Sequence, residues 1–334
     1  MVKTTHERLK EHLNFLIEHK EILKASDIFY PAHCWSVKKL IILQDYIKPY
    51  LSILTAKENN KYKYSDAWFY LDLFSGPGAS EIKEIKTLVL GSPIISLLKG
   101  VFPIKKRDEI VSFTKWFFIE QRQDYVNTLK MRVKKTLNKL EEDHGKKFSL
   151  NQDVFVLKGD CNTKISKVFD IIGEDHKRIS ILAFVDTEGF TNIKWPTWET
   201  LLEKSFVDLI LVYFTSGAKR NVKRIDFDQY LPVLEDWKKK KIKRSGISDR
   251  ELVDILMRGI CKQMGRSIKY ASLPVLNIKK SEIYKIIWMS HSKGAAKAMK
   301  NSIDLADKIS DQDISNIFKI LLRTQRDLTS FDTK

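Results

Sequence analysis

The sequence has few cysteines and no long apolar run. Its three cysteines, Cys34, Cys161 and Cys261, are too widely spaced to predict a disulfide framework or a zinc site. No apolar stretch reaches the roughly 18 residues that a transmembrane helix needs. The first residues are charged and lack the apolar core of a signal peptide. We therefore expect a cytoplasmic protein that has neither a membrane partner nor a bound metal.

Acidic residues are outnumbered by basic ones. Lys and Arg total 59 against 42 Asp and Glu, which gives a formal net charge of +17. Such an excess attracts polyanions, and nucleic acid is the obvious candidate; the alternative is a proteome that is lysine-rich throughout. Basic residues are densest between positions 219 and 244, where the alternative is an ordinary solvated face. From this interval we predict the following nucleic-acid contacts: Lys219, Arg220, Lys223, Arg224, Lys238, Lys239, Lys240 and Lys241.

Two glycines follow the first predicted strand, in the segment WFYLDLFSGPGAS at residues 68–80. The apolar run predicts a buried strand, and Asp72 lies near its carboxyl end, where open α/β sheets bind ligands. Gly76 and Gly78 allow the backbone to approach a ligand because they lack a Cβ. A dinucleotide-binding fingerprint needs a third glycine and an immediate helix, and neither is present. An ordinary tight turn is the alternative to a cofactor loop.

The helix after this loop is displaced along the chain. Ser92 is a good N-cap and Pro93 suits the first helical position, so the sequence predicts a helix start there. The polar residues between Gly78 and Gly91 then form a surface insertion. The free amide groups of this helix could still point at a cofactor.

Three later predicted strands also end in an acid: Glu120, Asp160 and Asp186. Because parallel strands present their carboxyl ends at one edge of a sheet, we expect these acids and Asp72 to share one cleft. In nucleoside-binding α/β folds an acid at the place of Glu120 accepts hydrogen bonds from ribose hydroxyls. A single such acid could be a helix cap or a solvated turn, whereas four in series favour a binding site.

The chain divides into three predicted parts. Residues 1–64 form a helical segment, residues 65–294 form an α/β domain with a basic helical insertion at about 219–264, and residues 295–334 form a helical tail. The domain ends in two strands, at 268–278 and 283–289, which are expected to pair as an antiparallel hairpin.

Two expectations concern the N-terminal helical segment. Pro49 is expected to kink or end the second helix. His33, Lys38 and Lys39 lie near the start of that helix. We assign them to a solvated helix start, although they could face the ligand cleft.

Several motifs in this order resemble known proteins. Asp-Leu-Phe-Ser-Gly-Pro-Gly at 72–78 resembles motif I of methyltransferases that use S-adenosylmethionine (SAM). Over roughly residues 30–300 the chain is similar to the three-Cys-motif partner (TcmP) family. The shared features are Gly-Ser-Pro at 91–93, the acid Glu120, Gly-Asp at 159–160, Asp186 with Gly189, and the strand YKIIWMSH at 284–291.

This resemblance implies an α/β fold of the methyltransferase-like (Rossmann) type: a mostly parallel seven-stranded sheet with helices on both faces. It implies SAM as the cofactor and, as a possible partner, a three-Cys-motif protein. Asp186 is the candidate catalytic residue that orients or deprotonates the nucleophile, and Glu188 is a weaker candidate. The implied cofactor-binding residues are Asp72, Phe74, Gly76, Gly78, Ser92, Glu120, Asp160 for the adenine amino group, and Cys161 through its backbone amide.

The sequence departs from the family at one strand end. The usual Asp-Pro-Phe-Gly is replaced by Asp186-Thr187-Glu188-Gly189, which argues against amine methylation. The leading hypothesis is a SAM-dependent methyltransferase that acts on nucleic acid. The alternative is a non-catalytic protein of the same fold that binds nucleic acid or another protein. A metal-dependent hydrolase is less favoured, since each acid suits a nucleoside group.

Overall fold

A computed structural model describes most of the chain. The described residues are 4–56, 66–104, 109–174, 176, 178–187, 189, 192–203, 206–214, 229–230, 248–264, 269–276, 281–290 and 292–331. The eight basic residues predicted to contact nucleic acid lie outside these ranges, and so does Glu188.

Strands and helices alternate through the central part of the chain. The strands are β1 (Tyr30–Ala32), β2 (Ala67–Asp72), β3 (Ala79–Ile82), β4 (Thr87–Leu90), β5 (Val101–Ile104), β6 (Glu109–Ser112), β7 (Lys115–Glu120), β8 (Val154–Lys158), β9 (Ile179–Asp186), β10 (Phe206–Tyr213), β11 (Lys269–Leu276) and β12 (Glu282–Ser290). The helices are α1 (Thr5–Glu18), α2 (Lys20–Leu23), α3 (Val37–Thr55), α4 (Ser92–Lys99), α5 (Gln123–His144), α6 (Cys161–Ile172), α7 (Trp195–Glu203), α8 (Asp249–Met264), α9 (Lys293–Asp307) and α10 (Asp311–Phe331). None of the helices within the described ranges has the length and apolar character needed to cross a membrane.

Seven of these strands form one sheet, in the order β11-β12-β10-β9-β2-β7-β8. The five strands β10, β9, β2, β7 and β8 are parallel to one another. β12 runs antiparallel to both β10 and β11, so the predicted terminal hairpin is confirmed. This mostly parallel sheet confirms the methyltransferase-like α/β fold.

Both faces of the sheet are covered, which explains why its strands are almost continuously apolar. One face carries Tyr70, Phe118 and Phe184, which belong to a core shared with α1, α3, α4, α5, α9 and α10. The opposite face carries Phe69 and Phe117, in a second core with α6, α7 and α8. The alternation along each strand therefore sorts its side chains between two helical layers.

One expectation for the first hundred residues is wrong, and for another, one of its two alternatives is excluded. The segment between Gly78 and Gly91 is not a plain surface insertion, because it forms the hairpin β3–β4, which pairs through β3 with β1. Pro49 does not end its helix, since α3 continues to Thr55. The proline lacks an N–H, so the carbonyl of Asp45 loses its usual helical donor, but packing of α3 in the core outweighs that loss.

A buried arginine joins the glycine loop to the N-terminal segment. Arg132 on α5 is fully buried. Its guanidinium donates to the carbonyl oxygens of Ile28 and Pro77 at 2.8 Å each, of Ser26 at 2.9 Å and of Leu23 at 3.1 Å. Burial lowers the pKa of Arg132 to about 10, so the group stays charged at neutral pH. Only a planar donor fork can serve this many carbonyls at once.

We expect Arg132→Met to lower the free energy of unfolding by about 3 kcal/mol, because the loss leaves several buried carbonyls without a donor. The free energy of unfolding of Arg132→Lys should lie between those of wild type and Arg132→Met, because an ammonium keeps the positive charge but lacks the planar set of donors. The measurement is urea unfolding. Lys135→Ala, on the exposed face of the same helix, is the matched control and should change stability by less than about 0.5 kcal/mol. Equal losses in Arg132→Met and the control would contradict this role.

Candidate functional site

A cavity of about 1000 Å³ opens at the carboxyl ends of β2, β7, β8 and β9. Residues of β1, β3 and the start of α3 also contribute to its lining. The structure places most of the predicted cofactor-binding and catalytic residues in its lining: Phe74, Gly76, Gly78, Ser92, Glu120, Asp160, Cys161 and Asp186. The expected convergence of the strand ends on one cleft is thus observed.

Asp72 is the exception, because its carboxylate is fully buried and does not line the cavity. It accepts hydrogen bonds from the Ser92 hydroxyl at 2.6 Å and from the Phe74 amide at 3.2 Å. Gly91, rather than Ser92, is the N-cap of α4, so the predicted capping role of Ser92 is wrong. Ser92 instead holds the carboxylate that shapes the loop. Asp72 therefore supports the cavity from behind.

The loop after β2 is fastened to the strands on both sides. The Leu73 amide donates to the Phe184 carbonyl on β9 at 3.2 Å, and the Ser75 amide donates to the Ile119 carbonyl on β7 at 3.0 Å. The carboxylate of Glu120 accepts hydrogen bonds from the Gly76 amide at 2.9 Å and from the Arg122 amide, two residues later, at 2.7 Å. Glu120 thus orients the loop while it faces the cavity.

The two loop glycines serve different purposes. Gly76 has φ of +60° and a Cβ there would meet nothing within 4 Å, whereas Gly78 has φ of +81° and a Cβ would lie 2.9 Å from Leu129. Gly76 therefore has open space where a ligand could approach, as expected. Gly78 is favoured by its positive φ, and it lies against the Leu129 side chain of α5.

Asp160 forms the N-cap of α6, where its side chain accepts from the Asn162 amide at 2.9 Å. Asn162 also lines the cavity; its side chain donates to the Asn192 carbonyl at 2.9 Å and accepts from the Lys194 amide at 2.8 Å. Burial raises the pKa of the Cys161 thiol to about 12, which leaves its backbone as the part suited to a ligand.

Asp186 forms an ion pair inside the cavity with Lys39 of α3. The Lys39 side chain is 14% exposed and that of Asp186 is 23% exposed. His33 lines the same cavity, and its Nδ1 lies 2.7 Å from the Glu84 carboxylate. The assignment of His33 and Lys39 to a solvated helix start is therefore wrong, whereas Lys38 does not line the cavity. The sequence shows a histidine and two lysines near the start of α3. Only the tertiary structure shows that this part of α3 faces the strand ends.

Within the described ranges, no group of three or more His, Cys, Asp or Glu side chains is arranged to hold a metal ion. Each acid at the strand ends is engaged differently: Asp72 by a hydroxyl, Glu120 by amides, Asp160 by a helix start and Asp186 by an ammonium. The arrangement has the hydrogen-bonding groups expected for a polar organic ligand that carries hydroxyl and amino groups.

Comparison with known proteins leaves the family open. No family model matches the sequence, and no curated protein is significantly similar to it. The resemblance to the TcmP family therefore stays a prediction.

Solved structures resemble the chain only loosely. The O-methyltransferase TomG from Streptomyces achromogenes, solved with SAM, is 11% identical, with a TM-score of 0.41 over 87% of this chain and 100% of that one. Protein LPL1258 from Legionella pneumophila is 12% identical, with a TM-score of 0.41 over 83% and 94%. Cofactor-bound Rv0187 from MTB is 9% identical, with a TM-score of 0.37 over 86% and 91%. Likenesses this loose carry no inference about the site, which stands on its own geometry.

The buried carboxyl of Asp72 should make stability depend on pH. Burial, and more weakly the charges of Asp186 and Glu120, raises its pKa to about 7. The folded state then holds this proton more tightly than the unfolded state, whose pKa is about 3.9. The stabilising contribution is complete below that value and is lost as pH rises through about 7.

We expect wild type, compared with Asp72→Asn, to lose stability progressively over this pH window, because asparagine cannot ionise. Urea unfolding of both proteins at several pH values measures the difference. Asp170→Asn, on the exposed side of α6, should leave the pH profile unchanged. Parallel profiles for wild type and Asp72→Asn would show that Asp72 ionises normally.

Proposed function

We propose that this protein is a SAM-dependent methyltransferase that acts on nucleic acid. The observation that carries the proposal is the convergence of Glu120, Asp160 and Asp186 on one cavity beside the glycine loop. The fold alone would not suffice, because the same architecture serves many functions.

The residues of the cavity fit SAM in kind and order. Glu120 would hold the ribose hydroxyls, and Asp160 with the Cys161 amide would hold the adenine ring. The open side of Gly76 would face the methionine end. When bound, SAM supplies an electrophilic methyl carbon: the acceptor atom bonds to it as the carbon–sulfur bond breaks and the electron pair goes to sulfur. The protein contributes by alignment, which accounts for much of the rate in such displacements.

Asp186 is the residue that we propose acts on the acceptor. It lies at the end of β9, which is paired with β2, the strand that precedes the glycine loop. Its carboxylate can orient the acceptor or take its proton. The cavity volume of about 1000 Å³ is at the upper end of small-molecule sites, about 300–1000 Å³. That size supports simultaneous binding of a cofactor and an acceptor group. The net charge of +17 supports a polyanionic acceptor.

A second candidate function rests on the Lys39–Asp186 ion pair. The ion pair engages the Asp186 carboxylate and partly blocks the approach of an acceptor to it. The protein would then keep the adenosine pocket and bind nucleic acid or another protein without methyl transfer. Binding of SAM and of nucleic acid, with no label transferred to any acceptor, would favour this function.

Isothermal titration calorimetry with SAM and S-adenosylhomocysteine tests the cofactor site. We expect wild type to bind both, and Glu120→Gln to weaken each by about tenfold or more, because a charged hydrogen bond is lost and the loop is loosened. Glu142→Gln, exposed on α5, is the control. A folded wild-type protein that gives no heat at millimolar ligand would overturn the proposal.

Transfer of labelled methyl groups from SAM to mixed oligonucleotides tests the reaction. Asp186→Asn should reduce the rate by about 100-fold or more, the usual contribution of a positioned acid or base, while its affinity for SAM stays within threefold. Asp170→Asn is the control. An unchanged rate in Asp186→Asn would remove this residue from the catalytic step.

A further inference from the structure

One wall of the cavity is aromatic, and the proposed cofactor residues do not use it. His33, Trp35 and Phe214 form this aromatic wall, each half-buried in the cavity lining. The His33 and Trp35 rings are stacked, with centroids 5.1 Å apart and planes inclined by 14°. The wall therefore offers flat, apolar surface inside a cavity that is also lined with acids.

A fully buried tyrosine fixes this wall in place. The ring of Tyr284 on β12 contacts Trp35 with centroids 5.6 Å apart and Phe214 with centroids 5.5 Å apart. Its hydroxyl donates to the Trp35 carbonyl at 3.2 Å. Two aromatic side chains from distant parts of the chain are thus held by one support. Rigid rings make a stacking surface at small entropic cost, because little side-chain freedom remains to be lost.

The aromatic wall lies at the same end of the cavity as the Lys39–Asp186 pair. Trp35 precedes α3, the helix that carries Lys39. Asp186 is paired in register with Val212 of β10, and Phe214 follows two residues later. A planar group on the wall would therefore be presented to the candidate acid–base residue.

Two exposed cations line the same cavity. Lys83 at the end of β3 and Lys194 before α7 belong to its lining and are solvent-exposed. Within the described part of the chain neither forms an ion pair, in contrast to Arg122, which binds Asp124. Ammonium groups in the same cavity as an aromatic wall match a ligand that has both a flat ring and phosphates.

We propose that the aromatic wall is a nucleobase subsite, which takes one unpaired base while Lys83 and Lys194 contact the adjoining phosphates. This inference rests on the proposed function and specifies its acceptor: a base in a single strand, or one swung out of a duplex. A base inside an intact helix cannot reach a wall within a cavity, so it must first leave the stack. A small aromatic metabolite without phosphates would have no use for the two lysines.

The test uses a 12-nucleotide single strand with one 2-aminopurine, in DNA and RNA versions, added to full-length protein with S-adenosylhomocysteine. Stacking should quench the 2-aminopurine fluorescence. Phe214→Ala and Trp35→Ala should each weaken binding of the strand at least tenfold and abolish the quenching. Tyr270→Ala, an aromatic residue exposed on β11, is the control. Quenching of only the DNA strand or only the RNA strand would show which sugar the subsite accepts.

A second set of variants, at the two lysines, tests the proposal even if the aromatic variants fail to fold. Lys83→Ala with Lys194→Ala, both at exposed positions, should weaken binding and reduce the salt dependence by about 1.4 units in slope for two phosphates on a single strand. Calorimetry with S-adenosylhomocysteine on every variant reports whether the cofactor site is intact. Phe214→Leu, which keeps apolar bulk but no ring, should still lose the quenching.

The outcomes separate the two proposals. Binding of S-adenosylhomocysteine without any quenching by wild type would overturn the subsite and leave the cofactor site standing. Quenching without S-adenosylhomocysteine binding would support the subsite and overturn the proposed methyl transfer. Equal affinity for a free 2-aminopurine nucleoside, or an unchanged affinity in Phe214→Ala, would overturn the assignment to nucleic acid or to the aromatic wall.

Discussion

A single buried cation determines how the two sides of the cavity meet. The Arg132 guanidinium serves carbonyls of the N-terminal segment at Leu23, Ser26 and Ile28 and, in the glycine loop, the carbonyl of Pro77. A buried charge without partners is very costly, so these backbone groups have to stay in place. The loop and the N-terminal segment are consequently positioned by the same residue. The remaining features of the site depend on that arrangement.

Four acids of similar sequence context take four different roles because their surroundings differ. Asp72 is enclosed and protonates near neutral pH, since burial raises its pKa to about 7. Glu120 receives two amides, Asp160 begins a helix, and Asp186 faces an ammonium. Each position follows from one rule, that parallel strands end at a common edge. The role of each carboxylate depends on the groups that contact it.

The N-terminal segment completes the site rather than merely preceding it. β1 extends the small sheet of β3 and β4, and the start of α3 brings Trp35 and Lys39 to the strand ends. Part of the cavity lining is therefore supplied by residues outside the α/β core. This division suits an enzyme in which the sheet holds a common cofactor and the added segment selects the acceptor, which is how the two proposals fit together.

The amino-acid sequence by itself determined the strands that lead to Asp72, Glu120, Asp160 and Asp186, because buried parallel strands are apolar runs. It also determined the terminal hairpin, predicted at 268–278 and 283–289 and observed at Lys269–Leu276 and Glu282–Ser290. Only the tertiary structure decided that Asp72 points inward, that Gly78 packs on Leu129, and that Lys39 meets Asp186 across 147 positions of chain. Local patterns fix which face of an element is apolar, whereas contacts between distant segments depend on packing that no local pattern encodes.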